Sequence, residues 1–109
     1  MKAIVVKKRN KKPDLLWEEV ADIQYGPEEV LVDVFATAVN RADLLQALGF
    51  YPPPPGESEI LGLEMAGTIA AIGDAVQGRQ IGERVLALLS GGGYAQQAAV
   101  NHQMLIKLP

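Results

Sequence analysis

The sequence predicts a mainly β fold with one short helix, arranged as a Greek-key-like, partly open β-barrel. Three observations favour this fold: many short apolar runs rich in β-branched residues, glycine- and proline-rich turns between them, and a single segment with helical period. The chain has 109 residues, of which 49% are apolar and 21% charged, and this composition is typical of one globular domain.

The first half of the chain predicts three strands, at Lys2–Lys7, Leu15–Ile23 and Val30–Val39. We expect the first two strands to form a hairpin that turns through a basic tip and Pro13-Asp14, with Trp17 available for the core. The third strand is apolar on both faces apart from Asp33 and Thr37, which favours an inner position in a sheet.

A short helix is predicted at Asn40–Leu48, where the apolar residues Ala42, Leu45 and Leu48 recur at helical spacing. Asn40 lies at the N-cap, and Asp43, three residues later, can complete a capping arrangement. The helix dipole alone also explains why an acidic residue, Asp43, lies in the first turn of the helix. Gly49 then ends the helix.

The second half of the chain predicts four more strands, at Thr68–Ile72, Arg84–Leu89, Tyr94–Val100 and Met104–Leu108. Gly73-Asp74 and Gly91–Gly93 predict turns between them. Before these strands, Tyr51 precedes four consecutive prolines, which predict a stiff, polyproline-like arm with this tyrosine at its root.

The charge distribution is uneven. Six of the ten basic residues lie in the first twelve positions, and from Pro13 onward four basic residues face thirteen acidic ones, a balance of −9. Such a basic run favours a solvated hairpin tip that discourages edge pairing. A phosphate-binding role stays open, whereas nucleic-acid binding is disfavoured because no aromatic residues are interleaved with the charges.

Several classes of function are excluded or disfavoured by composition. The chain has no cysteine and one histidine, His102, so thiolate metal sites and disulfides are excluded and a histidine metal site is disfavoured. No apolar run approaches the ~20 residues of a membrane span, and no signal peptide opens the chain. We therefore expect a cytoplasmic protein.

One carboxylate, Glu64, lies in an otherwise apolar stretch between Gly62 and Gly67. A lone acid among apolar residues is costly unless it is paired or hydrogen-bonded, so Glu64 must have partners. Glu64 is either a buried structural residue that holds the chain through hydrogen bonds or a member of a functional site.

Five positions carry a resemblance to a known family, in the pattern Gly-x-Glu-x-x-Gly-x5-Gly-x-x-Val: Gly62, Glu64, Gly67, Gly73 and Val76. This pattern resembles the hallmark of the medium-chain dehydrogenase/reductases. Four further segments resemble the zinc-independent quinone oxidoreductases, the p53-inducible type above all: Ala38–Leu44, Gly49–Pro54, Gly82–Val85 and Gly91–Gln96. The resemblance covers the family's amino-terminal domain and implies a GroES-like, partly open β-barrel.

Two departures from the family bear on metal chemistry. The zinc-dependent members have a cysteine where Asn40 stands and a histidine where Leu63 stands, and neither of these residues is a credible Zn²⁺ ligand. The four-cysteine structural lobe is absent as well. The resemblance therefore implies no metal and chemistry that depends on an organic cofactor.

The family's second half, a Rossmann domain with a glycine-rich phosphate loop, has no counterpart in this chain. Gly91–Gly93 is followed by Tyr94 and Gln96 rather than by a helix, so no Gly-x-Gly-x-x-Gly loop is present. By resemblance the cofactor is NADP, and its main binding site belongs to that missing domain.

The resemblance also implies a set of site residues. Asn40 would contact the nicotinamide or the substrate carbonyl, beside its role as N-cap. Tyr51 would donate a hydrogen bond to the acceptor oxygen as charge builds there during hydride transfer. Asp43 and Glu64 would be substrate-side or structural residues, while Arg41 is a solvent residue.

The function implied is hydride transfer from NADPH to a quinone or an α,β-unsaturated carbonyl, with the isolated chain inactive. The partner would be the missing Rossmann domain. One alternative is a stand-alone, non-enzymatic barrel that associates with itself or with a partner through its apolar C-terminal strand and unpaired edges. Another is an enoyl-reductase module of a multidomain synthase.

Overall fold

The computed structural model describes residues 1–9, 12–48 and 60–109. In chain order the elements are β1 (Lys2–Arg9), β2 (Lys12–Glu19), β3 (Glu29–Thr37), α1 (Arg41–Ala47), β4 (Glu64–Ile72), β5 (Arg84–Leu88), β6 (Gln97–Asn101), a 3₁₀ turn (His102–Met104) and β7 (Leu105–Lys107). The prediction of a mainly β fold with one short helix is confirmed.

The strands form two antiparallel sheets. Strands β1 and β2 make a two-stranded ribbon, and the other five pair in the order β6-β3-β4-β5-β7. A bridge between Ala3 and Ala95 joins the ribbon to the chain that leads into β6, and the Ile4 N–H donates to the Tyr94 carbonyl at 2.8 Å. The ribbon is therefore anchored to the rest of the barrel near Tyr94.

The core lies on one face of the five-stranded sheet. Val30 and Val32 of β3, Ile69 of β4 and Val85 of β5 are fully buried. Because side chains alternate along a strand, every second residue of these strands reaches the core. Complete burial of each such side chain contributes roughly 1.5–3 kcal/mol.

Strand β3 pairs on both sides, as expected for an inner strand, but it is not buried on both faces. Phe35 is 77% exposed, because a register shift between Val34 and Ala36 leaves it without a partner on β4. Such a bulge turns the strand locally and points the extra side chain away from the sheet.

The predicted details of the first hairpin are wrong in two respects. Pro13 and Asp14 lie within β2, opposite Lys8 and Lys7, so the chain reverses between Arg9 and Lys12 instead. Proline is tolerated there because β2 has a partner on one side only. Trp17 is 51% exposed rather than in the core, since a two-stranded ribbon leaves part of its surface in solvent.

Helix α1 forms where it was predicted, but its buried face is different. The buried side chains are Asp43 and Ala47, four residues apart, whereas Leu48 is half-exposed. The apolar spacing that predicted the helix therefore does not mark its inward face.

The later strands differ from prediction mainly at their ends. Strand β4 begins at Glu64 rather than Thr68, because Glu64 already pairs with Leu88 of β5. Strand β6 begins at Gln97 rather than Tyr94. None of the helices in the described part of the chain has the length and hydropathy needed to cross a membrane.

Candidate functional site

Four polar residues meet where α1, β4 and the loop after β5 come together. They are Asn40, Asp43, Glu64 and Tyr94, and we refer to them as the Asn40 cluster. Sequence reasoning singled out the first three, and the structure brings all three together through hydrogen bonds.

Asn40 and Glu64 are joined through their side chains. The Asn40 Nδ2 atom donates to Glu64 Oε1 at 3.0 Å. The Glu64 carboxylate is partly buried at the start of β4, and its backbone carbonyl accepts from the Thr37 hydroxyl at 2.6 Å. Glu64 thus has the hydrogen-bond partner that its apolar surroundings require.

Asp43 closes the start of the helix, as its spacing from Asn40 predicts. Its Oδ2 atom accepts from the Asn40 backbone N–H at 2.9 Å. The side chain is only 1% exposed, however, and its Oδ1 atom has no hydrogen-bond partner in the part of the chain that the structure describes. A buried carboxylate of this kind needs more than the helix dipole to explain its place.

Tyr94 is the member of the cluster that sequence reasoning missed. Its hydroxyl donates to Asp43 Oδ2 at 2.7 Å and lies 3.3 Å from the Ala38 carbonyl oxygen. Burial, followed by the hydrogen bond to Asp43 and its charge, raises the pKa of the Tyr94 phenol, so it remains a hydrogen-bond donor. The available signal was a tyrosine directly after the three glycines of the Gly91–Gln96 segment.

The backbone of the loop that carries Tyr94 is fixed by the chain before β4. The Tyr94 N–H donates to the Leu61 carbonyl at 2.9 Å, and the Gly93 N–H donates to the Gly62 carbonyl at 3.0 Å. Gly62 has φ +111°, and a Cβ at this position would lie 2.5 Å from the Tyr94 nitrogen. Only glycine allows the two segments to approach so closely.

An open cavity of about 230 Å³ adjoins the cluster. Glu64 is the one ionisable residue in its lining, which otherwise consists of small and apolar residues of β3, β4 and β5 such as Ala36, Ala66 and Leu86. An amide–carboxylate pair at the edge of an apolar surface can orient a flat, uncharged molecule that carries a polar oxygen.

Tyr51, for which sequence reasoning predicts a role at the acceptor oxygen, lies outside the described residues, as does the whole proline arm. Its role therefore stays a prediction. Arg41 is exposed, in keeping with a solvent residue. Among residues 1–9, 12–48 and 60–109, no three His, Cys, Asp or Glu side chains come together as a metal site.

Known proteins are similar to this chain in sequence or in architecture. Acryloyl-coenzyme A reductase from Sulfurisphaera tokodaii is 40% identical over 89 residues, covering 82% of this chain and 26% of that protein. An erythronolide synthase from Saccharopolyspora erythraea is 42% identical over 81 residues, covering 74% of this chain and 2% of the synthase. The crystal structure of Escherichia coli quinone oxidoreductase complexed with NADPH has a TM-score of 0.80 at 25% identity, covering 99% of this chain and 33% of that one.

These likenesses and the antiparallel barrel define the class, the GroES-like domain of the medium-chain dehydrogenase/reductases. Residues 26–109 match the family model of the alcohol dehydrogenase GroES-like domain, and the chain belongs to this family. The recognition from the motifs around Gly62 and Glu64 is thereby confirmed. The chain spans about a third or less of each of these relatives.

Proposed function

We propose that this chain forms the acceptor-side wall of the active site in a zinc-independent, NADPH-dependent oxidoreductase. The reaction is the two-electron reduction of a quinone or an α,β-unsaturated carbonyl. The other wall, which holds the dinucleotide, belongs to a further domain in this proposal, and the chain covers only 26% and 33% of two of its relatives. A cytoplasmic location is part of the same proposal.

The hydrogen bond between Asn40 Nδ2 and Glu64 Oε1 is the observation that carries the zinc-independent part of the proposal. Structural and catalytic zinc sites use thiolate, imidazole and carboxylate ligands. At this position the chain offers a carboxamide whose Nδ2 atom already donates to the Glu64 carboxylate. Leu63 adds no ligand at the position where the zinc-dependent members of the family have a histidine.

NADPH supplies a hydride to the acceptor when it is bound, and a proton completes the reduction. The residues of this chain orient the acceptor and stabilise the negative charge that develops on its oxygen. The Asn40 amide can do so because its orientation is fixed by Glu64 and by the start of α1. The Tyr51 phenol is the proposed second donor. The chain has no glycine-rich loop for the pyrophosphate, so the dinucleotide depends on the other domain.

A second candidate function is an enoyl reductase that acts on an unsaturated thioester. Acryloyl-coenzyme A reductase and erythronolide synthase are among the relatives, and both are more similar in sequence to this chain than the quinone oxidoreductase is. The two candidates share the hydride chemistry and the Asn40 cluster. They differ only in the acceptor.

The non-enzymatic alternative draws support from exposed apolar side chains. Phe35, Val39 and Ile106 are each more than half exposed. In the proposed enzyme such side chains lie against the dinucleotide domain, whereas in a stand-alone barrel they join copies of the chain. A discrete oligomer of the 109-residue chain, measured by light scattering, would favour the second case.

The test uses the chain extended by its dinucleotide-binding domain, with NADPH oxidation followed against a benzoquinone and against crotonyl-coenzyme A. We expect turnover with at least one acceptor, and the preferred acceptor separates the two enzymatic candidates. Activity that survives dialysis against a chelator is expected. Activity that is lost on dialysis and restored by Zn²⁺ would overturn the zinc-independent assignment.

A matched pair of variants tests the site itself. Asn40→Ala is expected to lower kcat/KM by about a hundredfold, as loss of one preorganised donor does in other enzymes. Asn101→Ala is the control, because the Asn101 side chain lies outside the Asn40 cluster, where it caps the 3₁₀ turn by accepting from the Gln103 N–H. Equal activity of the two variants would remove Asn40 from the site.

A further inference from the structure

The Asp43 carboxylate is held through one of its oxygens. Both the Tyr94 hydroxyl and the Asn40 N–H donate to Oδ2, at 2.7 and 2.9 Å, while Oδ1 is buried without a partner among the described residues. The carboxylate therefore links a loop residue to a residue 54 positions earlier in the chain. Loss of either donor leaves the buried group with a single hydrogen bond.

Helix α1 is short and few of its side chains are buried in the described part of the chain. It is seven residues long, and its buried side chains are Asp43 and Ala47. Seven residues are too few for a helix that is stable by itself in water. The contact with Tyr94 therefore has a large share in deciding where the helix, and Asn40 at its N-cap, lies against β4.

We propose that Tyr94 and Asp43 are positioning residues that hold Asn40 in the orientation in which its amide meets Glu64. The backbone of Asn40 is fixed through Asp43, and its side chain is fixed through Glu64 at 3.0 Å. The effect of this positioning on turnover rests on the proposed function. The positioning itself rests on the hydrogen bonds alone.

Two properties of Tyr94 suit this role. Its backbone is fixed by the hydrogen bonds of Tyr94 N–H to Leu61 and of Gly93 N–H to Gly62. Burial and the adjacent Asp43 raise the pKa of its phenol. The hydroxyl therefore stays protonated near neutral pH and can donate. The hydroxyl is thus a fixed donor on a fixed backbone.

The chain contains three asparagines, Asn10, Asn40 and Asn101, so ¹⁵N-asparagine labelling gives a simple amide spectrum with two internal references. In the Tyr94→Phe variant we expect the backbone and side-chain resonances of Asn40 to shift and those of the other two to stay. Exchange of the Asn40 backbone amide with solvent should become about tenfold faster, the effect of weakening one charge-assisted hydrogen bond. Tyr25→Phe is the control and should leave all three residues unchanged.

A second variant keeps the test decisive if Tyr94→Phe does not fold. Asp43→Asn retains a carbonyl oxygen that accepts from both donors but lacks the charge, and neutral hydrogen bonds are roughly half as strong as charge-assisted ones. Amide exchange at Asn40 should then be several times faster than in the unsubstituted chain. Unchanged Asn40 resonances and exchange in a folded variant of either kind would overturn the proposal.

Kinetics of the extended enzyme separate this proposal from the proposed function. We expect Tyr94→Phe to lower kcat about tenfold with the KM for NADPH within about twofold, since the substitution disturbs an orienting group and not the dinucleotide site. Shifted Asn40 resonances with an unaltered kcat would overturn the catalytic value of the positioning. Shifted resonances in an extended chain that oxidises no NADPH would overturn the proposed function and leave the positioning supported.

Discussion

Two largely buried polar clusters differ in how their charges are satisfied. In the loop before β5, Arg79 pairs with Glu83 at 2.9 Å and donates further hydrogen bonds to the carbonyls of His102 and Leu105. Both Glu83 oxygens have donors, since Oε1 accepts from the Gln80 N–H. The Asn40 cluster is held together by hydrogen bonds, and one oxygen of its buried Asp43 has no partner among the described residues.

This difference is expected if the first cluster stabilises the fold and the second serves the proposed function. The Arg79 guanidinium fastens the loop before β5 to the segment that leads into β7, and both carboxylate oxygens of Glu83 accept hydrogen bonds within that loop. Within the described ranges the Asn40 cluster contains a buried oxygen without a hydrogen-bond partner, a cost that proteins accept mainly at functional sites. We therefore expect substitutions in the first cluster to act on stability and those in the second to act mainly on turnover.

The largest expected effect is on folding. Arg79→Met removes the positive partner of Glu83, whose side chain is largely buried, and should lower the free energy of unfolding by about 3 kcal/mol, as loss of one member of a buried pair does. Urea denaturation measures this. The control is Lys7→Met, which breaks the exposed pair with Glu18 and should cost less than about 1 kcal/mol. Equal losses of unfolding free energy in the two variants would show that the buried Arg79–Glu83 pair stabilises the fold no more than the exposed Lys7–Glu18 pair.

The next effect tests the backbone that supports Tyr94. Gly62→Ala places a Cβ against the backbone of Gly93 and Tyr94 and should lower the free energy of unfolding by about 2 kcal/mol. Gly78→Ala is a matched control, because Gly78 also has positive φ, +78°, but nothing lies within 4 Å of its added Cβ. If both variants lose the same stability, backbone strain and not the contact with the Tyr94 loop explains the loss.

A smaller effect is expected at the predicted donor Tyr51. In the extended enzyme, Tyr51→Phe should lower kcat/KM for the acceptor about tenfold, equivalent to about 1.4 kcal/mol of transition-state stabilisation. Steady-state kinetics with saturating NADPH measure this. An unchanged kcat/KM would take Tyr51 out of the site and leave Asn40 as the acceptor-side donor.

The smallest expected effect is a loss of stability at low pH. Burial raises the pKa of Glu83, but the hydrogen bonds from Arg79 and the Gln80 N–H and the charge of Arg79 outweigh it, so the pKa lies below its ordinary value of 4.5. A depressed pKa in the folded state adds stability above pH 4.5 that is lost as the pH falls through the folded value. Urea midpoints at descending pH should therefore fall less for Glu83→Gln than for the unsubstituted chain. A parallel fall would assign the acid sensitivity to other carboxylates.

Much of the fold could be predicted because it depends on local pattern. The apolar alternation around Val30 and Val32 and the capping signal at Asn40 mark elements that the structure contains within a residue or two. The turn predicted at Pro13-Asp14 was wrong because a proline can also lie in a strand that has a partner on one side only. The predicted burial of Trp17 was wrong because its hydrophobicity does not reveal that its strand belongs to a two-stranded ribbon.

The site could be predicted only in part. Asn40, Asp43 and Glu64 stood out through spacing and motif, since their contacts follow from neighbouring elements. The bond between Tyr94 and Asp43 spans 51 residues and depends on how closely Gly62 lets the Tyr94 loop approach. No local pattern contains that information, so the second donor to Asp43 appears only in the folded chain.

In the proposed enzyme this chain supplies one wall of a two-domain site and not a complete site. The decisive measurement is a titration of NADPH, followed by its fluorescence, against the 109-residue chain and against the chain extended by its dinucleotide-binding domain. We expect no saturable binding to the 109-residue chain and tight binding to the extended one. Micromolar affinity of the 109-residue chain alone would contradict it.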